Sequence, residues 1–412
     1  MTLSQQPITK EVGIMKDISY LANKPIAILG AGAAGRTHAA DCKLGNAKEV
    51  RLYEMPEFAK ALGSIAQDGR IALEGPQVNL YGFERSGTAV LDMVTTDMKQ
   101  AVSGAGIIVV AMAALGFDKV FDQLIPCLED GQFIHLPTGN FGSLLLRHKM
   151  KQAKCDKKVV IGEWSSQPYG TRIKSMAGVQ LPICSILYRA ITLKGAAMPH
   201  SDTDLFIESA KYIPSMDAVK DPVKGDTVLD ICFTNVNPVL HCPGTILGAS
   251  VMENYGRIFG DDKSRFSIYS HAFSPSVGEV QYAFFQEQKQ IAKAIGFEID
   301  DYDKSVFFTR TNVLGSEFLG PNKGIPLSDR YELLETTGPF TIHNRYITED
   351  IPVGCCVQRA LGAKFGVKTP VIDSMVTLAS VMTGTDYNKE CWTLEKLGIA
   401  GMNKDELLNY VR

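Results

Sequence analysis

The stretch Pro25-Ile26-Ala27-Ile28-Leu29-Gly30-Ala31-Gly32-Ala33-Ala34-Gly35 decides the fold. Its first five residues carry no charge and read as a buried strand. A GxGxxG spacing follows, and a helical stretch runs on from Ala33 to about Leu44. The spacing alone is weak, because small residues also serve helix–strand packing. The strand before it and the helix after it turn it into a dinucleotide-binding turn. Gly30 allows the tight bend, Gly32 lets backbone approach a pyrophosphate, and Gly35 lets helix and strand pack closely. The unpaired N–H groups of Ala33, Ala34 and Gly35 at the helix start offer a partial positive charge to the phosphates, with Ala31 inside the turn.

A second strand, Glu49–Tyr53, ends at Glu54, nineteen residues after Gly35. That carboxylate is placed to accept from the adenine ribose hydroxyls and to repel a 2′-phosphate. NAD(H) is therefore favoured, while Arg51 and Lys60 nearby in sequence keep NADP(H) in view. Further apolar runs lie at Gly106–Val110, Gln132–Leu136 and Val159–Glu163, with a helical pattern over Phe117–Leu128. Continuous apolar strands separated by helices predict a doubly wound, mostly parallel α/β sheet covered on both faces. Leu136-Pro137-Thr138-Gly139-Asn140 leaves a strand at its carboxyl end, where such sheets place ligands, so Thr138 and Asn140 are candidate nicotinamide or substrate contacts. A plain glycine turn explains the same residues equally well.

Near residue 200 the pattern changes. Helical periodicity dominates over Ile246–Phe259, Val277–Ile295, Pro352–Phe365 and Pro370–Met382, and again from Asn403. The expected division is a leader over 1–23, a Rossmann domain over 24–200 and an all-helical second domain over 201–412. The 412 residues are 45% hydrophobic and 21% charged, enough for two ordinary globular cores. A net charge of -3 with no basic run argues against a nucleic-acid partner. The longest apolar run, Ala105–Leu115, is too short to span a membrane, and Met1–Asn23 lacks a secretory pattern, so a cytoplasmic protein is expected. Nine cysteines form no CxxC and no zinc spacing, so no metal site is expected and the adjacent Cys355 and Cys356 read as buried small side chains.

Two segments carry the remaining chemistry: Asn235-Val236-Asn237-Pro238-Val239-Leu240-His241-Cys242-Pro243 and Arg345-Tyr346-Ile347-Thr348-Glu349-Asp350-Ile351-Pro352. At these residues the chain resembles the opine dehydrogenase family, which joins a Rossmann domain to a helical one. Glu163-Trp164-Ser165-Ser166-Gln167-Pro168-Tyr169 with Arg172 is similar to the family's segment between sheet strands. The resemblance covers most of the chain from residue 24. One departure is Cys242, which separates His241 from the proline that commonly follows the family's histidine directly.

The resemblance implies NADH-dependent reductive condensation of an α-keto acid, with pyruvate the usual one, and the amine of an amino acid. Under that reading His241 is a general acid/base, its ordinary range lying near neutral pH. Asp350 fixes its tautomer, and the planar fork of Arg345 holds the keto-acid carboxylate. Each has a plainer reading. His241, placed ahead of a helix, is otherwise a hydrogen-bonded core residue. Asp350 and Thr348 compete for a helix N-cap ahead of Pro352, and Arg345 is otherwise half of a surface ion pair. His343 is the alternative imidazole.

Two other functions stay open at this point. A related reductase acting on a single hydroxy or keto acid would use a lysine for proton transfer, with Lys194 the candidate. A non-catalytic NAD-binding protein would have no need of His241, Arg345 and Asp350 together. Assembly is left open, with a homodimer one arrangement.

Overall fold

The predicted strands do line up side by side in the computed structural model, which describes residues 17–76, 82–260, 262–301, 304 and 337–412. Most of the leader expected over 1–23 lies outside the described residues, and Ser19–Asn23 forms one short 3-10 turn. Twelve strands follow in chain order: β1 Ile26–Leu29, β2 Val50–Tyr53, β3 Arg70–Glu74, β4 Gly87–Val90, β5 Met93–Thr95, β6 Ile107–Val110, β7 Phe133–Leu136, β8 Val160–Trp164, β9 Tyr169–Met176, β10 Val179–Arg189, β11 Lys194–Met198 and β12 Val223–Lys224.

The main sheet has the order β12-β11-β8-β7-β6-β1-β2-β5. It is parallel except where β11 runs against β8. Strand β1 lies between β2 and β6, so the order reverses there and the crevice beyond its carboxyl end is the expected ligand position. Alternate side chains feed opposite faces. Ile26 and Ile28 enter one apolar cluster, while Ala27 and Leu29 enter the other. That two-sided burial is why these strands read as unbroken apolar runs.

A second sheet, ordered β4-β3-β10-β9, was not anticipated. Its longest strands, β9 and β10, are partly exposed and mix polar with apolar residues, which weakens the pattern. The sheet-forming segment also runs past the division expected at residue 200, since β12 ends at Lys224. From Val228 on, the described regular elements are helical. One of the two apolar clusters continues from the sheet face through Val228, Leu240 and Ile351 to Val411, so the helical half shares a core with one face of the sheet.

Among the described residues no helix is long and apolar enough to cross a membrane, and no group of three or more His, Cys, Asp or Glu could hold a metal ion. All nine cysteines are free, and Cys355 and Cys356 are both buried.

Candidate active site

The glycine turn has the shape its residues require. Gly30 adopts φ +101°, a left-handed value that side chains strain to reach. A β-carbon there would lie 2.9 Å from Met112 Cβ, and one on Gly35 would overlap the Gly30 carbonyl oxygen. Gly32 differs, because a β-carbon there would meet nothing within 4 Å. The helix Ala33–Leu44 starts on Gly32 with no side-chain cap, and its first internal bond is Arg36 N–H to Gly32 O at 3.0 Å. Closed packing at two glycines and open space at the third, ahead of an uncapped helix, fit a pyrophosphate.

Glu54 is buried at the carboxyl end of β2. One of its oxygens accepts the Ala31 N–H at 2.9 Å and the other the Met55 N–H at 2.8 Å. It thus anchors the glycine turn, while each oxygen keeps lone-pair capacity for a further donor. Arg51 is turned elsewhere, onto Glu49 at 2.6 Å and the Ser103 carbonyl at 2.7 Å. Lys60 is exposed.

The two C-terminal segments meet. His241 Nδ1 stands 2.7 Å from Asp350 Oδ2 across 109 residues of chain, and the residues are only 7% and 6% exposed. An ionised carboxylate can only accept, so the Nδ1 position carries the hydrogen and Nε2 is left with its lone pair. The Tyr269 hydroxyl lies 2.9 Å from Nε2 and donates to it. Tyr346 stacks on the imidazole at 3.7 Å between centroids, and its hydroxyl is 3.3 Å from that of Tyr269. Burial pushes the Tyr269 phenol well up, the neighbouring Tyr346 adding to it, so Tyr269 stays protonated.

Local structure explains these placements. His241 lies inside the helix Asn237–Leu247, not ahead of one, and both Cys242 and Pro243 are part of that helix. Cys242 is fully buried with its sulfur 3.6 Å from that of Cys355, so the residue that departs from the family pattern serves packing. The helix Arg345–Thr348 is capped by Asn344, whose side chain accepts from Tyr346 N–H at 2.8 Å. Neither Thr348 nor Asp350 is the N-cap, and Asp350 opens a π-helical turn, Asp350–Cys355. Pro352 within that turn has no N–H to give to a regular helix, a gap that the wider turn tolerates.

Arg345 has an exposed side chain with one nitrogen 3.4 Å from Glu349 Oε2. The Glu349 carboxylate beside it holds the guanidinium above its ordinary range. Glu349 itself is 4% exposed, and its Oε1 accepts the Ala114 N–H at 2.9 Å, just beyond β6. Burial pushes the Glu349 carboxyl up, and Arg345 offsets part of that. Reasoning from the sequence assigned no role to Glu349 or Tyr269. The i,i+4 spacing of Arg345 and Glu349 on a helix was a usable signal, whereas nothing in the chain marks Tyr269.

Thr138 and Asn140 follow β7. Thr138 is half-buried, its hydroxyl 3.4 Å from Gln167 Nε2. Asn140 is buried. Its side-chain oxygen accepts from Asn235 Nδ2 at 2.9 Å, and its N–H donates to Glu163 at 2.9 Å. Asn235 in turn accepts the Asn237 N–H at 3.1 Å, at the start of the helix that carries His241. Asn140 therefore braces that helix, and Glu163, wholly buried, also takes the Ser143 N–H at 2.9 Å. His343 is exposed. Lys194 is paired with Asp230 at 2.9 Å on β11.

Residues 224–383 match the family model for the NAD/NADP octopine/nopaline dehydrogenase alpha-helical domain. An opine dehydrogenase of Arthrobacter sp. (strain 1C) is 27% identical over 93% of this chain and 97% of its own. Octopine dehydrogenase solved with NADH and L-arginine shares the fold at a TM-score of 0.65, with 16% identity over 92% of this chain and 99% of that one. Yersinopine dehydrogenase with NADP+ does so at 0.64, with 14% identity over 94% and 97%. The helical half thus matches the octopine/nopaline dehydrogenase domain, most of the chain is similar to opine dehydrogenases, and the protein is an NAD(P)-dependent oxidoreductase acting on a CH–NH group.

Proposed function

We propose that this enzyme condenses a small α-keto acid, pyruvate, with the amino group of an amino acid and reduces the resulting imine with NADH. The observation that carries the reading is the His241 imidazole held 2.7 Å from Asp350, on the segment that also presents Arg345.

In this reaction the amine nitrogen attacks the keto carbon, water leaves, and the imine carbon gains hydride while its nitrogen keeps one proton. Bound NADH supplies the hydride. Arg345 offers two parallel N–H donors to the keto-acid carboxylate, which fixes the carbon to be reduced. His241 takes a proton from the incoming ammonium group and returns one to the departing oxygen, a type of transfer that typically contributes about 10²–10⁴ in rate. Asp350 keeps the imidazole in the tautomer whose Nε2 can accept, and stabilises it once protonated. Tyr269 occupies Nε2 in this conformation, so the imidazole exchanges protons with the substrate through that hydroxyl or in its place. The preference for NADH rests on Glu54, whose buried carboxylate would repel a 2′-phosphate, and on Arg51 being engaged elsewhere. Lys194, the lysine that the single-substrate alternative would use, is paired with Asp230 at 2.9 Å.

The test is a matrix of keto acids against amino acids, read by NADH absorbance and product mass. Turnover should need both substrates, and the product mass should equal their sum less one oxygen atom. Rapid NADH oxidation with the keto acid alone would reject condensation.

A further inference from the structure

The inference rests on the proposed reaction and adds a residue to it. We propose that Glu349 is a positioning residue: one carboxylate oxygen fastens the helical half to the loop after β6, and the other holds the Arg345 fork where the keto-acid carboxylate meets it. Three observations support this. First, Glu349 Oε1 accepts the Ala114 N–H at 2.9 Å, a bond between residues 235 apart in sequence. Second, Ala114 opens a 3-10 turn, Ala114–Gly116, three residues beyond Ala111, and Ala111 and Met112 are the residues that crowd Gly30. The bond thus reaches the lip of the dinucleotide crevice. Third, Glu349 Oε2 is buried without a hydrogen bond, and the Arg345 guanidinium lies 3.4 Å away.

A buried carboxylate with an unsatisfied oxygen is unfavourable unless a cation stands beside it. Arg345 is that cation, yet its side chain is 72% exposed and free to turn toward an anion. Glu349 therefore limits the fork to orientations near the crevice without saturating its donors. Asp350, the next residue, carries the His241 contact, so a shift of Glu349 would displace both partners of the substrate together. Glu349 acts through Arg345 and touches neither substrate nor cofactor.

Glu349→Gln tests this, since it keeps the volume and a carbonyl oxygen for Ala114 while removing the charge beside Arg345. With NADH and saturating amino acid, KM for pyruvate should rise about tenfold, the scale of a lost charge-assisted contact. The kcat should stay within about threefold and the NADH Kd, read by fluorescence, within about twofold. In an Arg345→Ala background the same substitution should leave kcat/KM for pyruvate unchanged, because the coupling runs through the guanidinium. Glu349→Asp, which folds with its charge intact but is too short to reach Ala114, should raise pyruvate KM and NADH Kd together, and it decides the matter should the Gln variant fail to fold. Equal losses from Glu349→Gln with and without Arg345, or an unchanged pyruvate KM, would overturn the inference. Failure of the wild type to turn over pyruvate with any amino acid would overturn the proposed reaction itself, and that is seen before any variant is made.

Discussion

Replacing Asp350 by Asn changes one oxygen for an amide and leaves the volume alone, so it isolates what the carboxylate does for His241. The contact is 2.7 Å and both side chains are under a tenth exposed, so solvent screens it little. Two losses follow. A hydrogen bond to a charged group contributes about 1.5–3 kcal/mol, and the neutral amide forfeits most of that when the imidazole is protonated. At about 1.4 kcal/mol per tenfold, the proton-bearing state becomes about 10–100 times rarer. The amide can also turn its NH₂ toward Nδ1, which moves the ring hydrogen to Nε2 and leaves no lone pair there to accept a proton. Together these should lower kcat by about 10²-fold or more, within the range general acid/base catalysis supplies. Steady-state NADH oxidation with saturating keto acid and amino acid measures kcat, while fluorescence titration gives NADH affinity, expected within about twofold of wild type because the glycine turn is untouched. A variant that folds, binds NADH normally and keeps kcat within about threefold of wild type would refute the role given to Asp350, and with it the tautomer argument for His241.

Three further outcomes follow from other contacts. Glu54→Ala should narrow the preference for NADH over NADPH, because it removes the charge that would face a 2′-phosphate; an unchanged ratio of kcat/KM values would take Glu54 away from the ribose. Tyr269→Phe deletes the hydroxyl on Nε2 and should move the pH–kcat profile while leaving the pyruvate KM within about threefold, whereas a profile superimposable on wild type would remove Tyr269 from the proton path. His38, buried beside Ser215 and Gln167, has its imidazole pushed down to about 4, burial being the main cause. The unfolded histidine takes a proton below about 6.5 and the folded one only below about 4, so this residue withdraws stability as pH falls through that window. In His38→Gln, urea midpoints between pH 6.5 and 4 should therefore fall less steeply than in wild type, and parallel slopes would contradict the assignment.

What could be read from the chain depended on whether the signal was local. The glycine turn, Glu54 and the flanking strands sit within thirty residues of one another, and each is specified by its own neighbours. Strands buried on two faces announce themselves as apolar runs. Strands β9 and β10 do not, because half-exposed residues interrupt the alternation and the pairing partner β3 lies about a hundred residues upstream. The sequence offers Thr348 and Asp350 as caps of a helix ahead of Pro352, yet a helix already starts at Arg345 with Asn344 as its cap, a start that only backbone geometry resolves. His241 was marked by a motif, but its second partner Tyr269 comes from a separate helix with no motif at all. The role of Glu349 is not legible in the chain, since its donor, the Ala114 N–H, is a backbone group that no side-chain pattern reveals.

The placement of these residues also determines what kind of damage each substitution does. The halves of the molecule are joined mainly by apolar packing, a cluster that runs from Leu29 and Val110 through Phe141 and Leu240 to Val411. Polar contacts across the seam among the described residues include Asn140 with Asn235 and Glu349 with Ala114 near the site, and the ion pairs Lys194–Asp230 and Lys396–Asp118 elsewhere. Apolar burial of that extent contributes far more free energy than these few polar contacts, each hydrogen bond worth about 0.5–1.5 kcal/mol net, rather more where a carboxylate accepts. Substitutions that break these contacts near the site, at Asn140, at Asn235 or in Glu349→Asp, should therefore leave the halves docked while loosening their registration by fractions of an ångström. Misplacement on the order of 1 Å can cost about 10²-fold in rate. Core substitutions such as Leu240→Ala would do the reverse, lowering stability by about 2–5 kcal/mol through the cavity they leave. In this fold, stability and substrate alignment are thus carried by different residues of the same seam, and kinetics measured at temperatures well below the melting transition separates them.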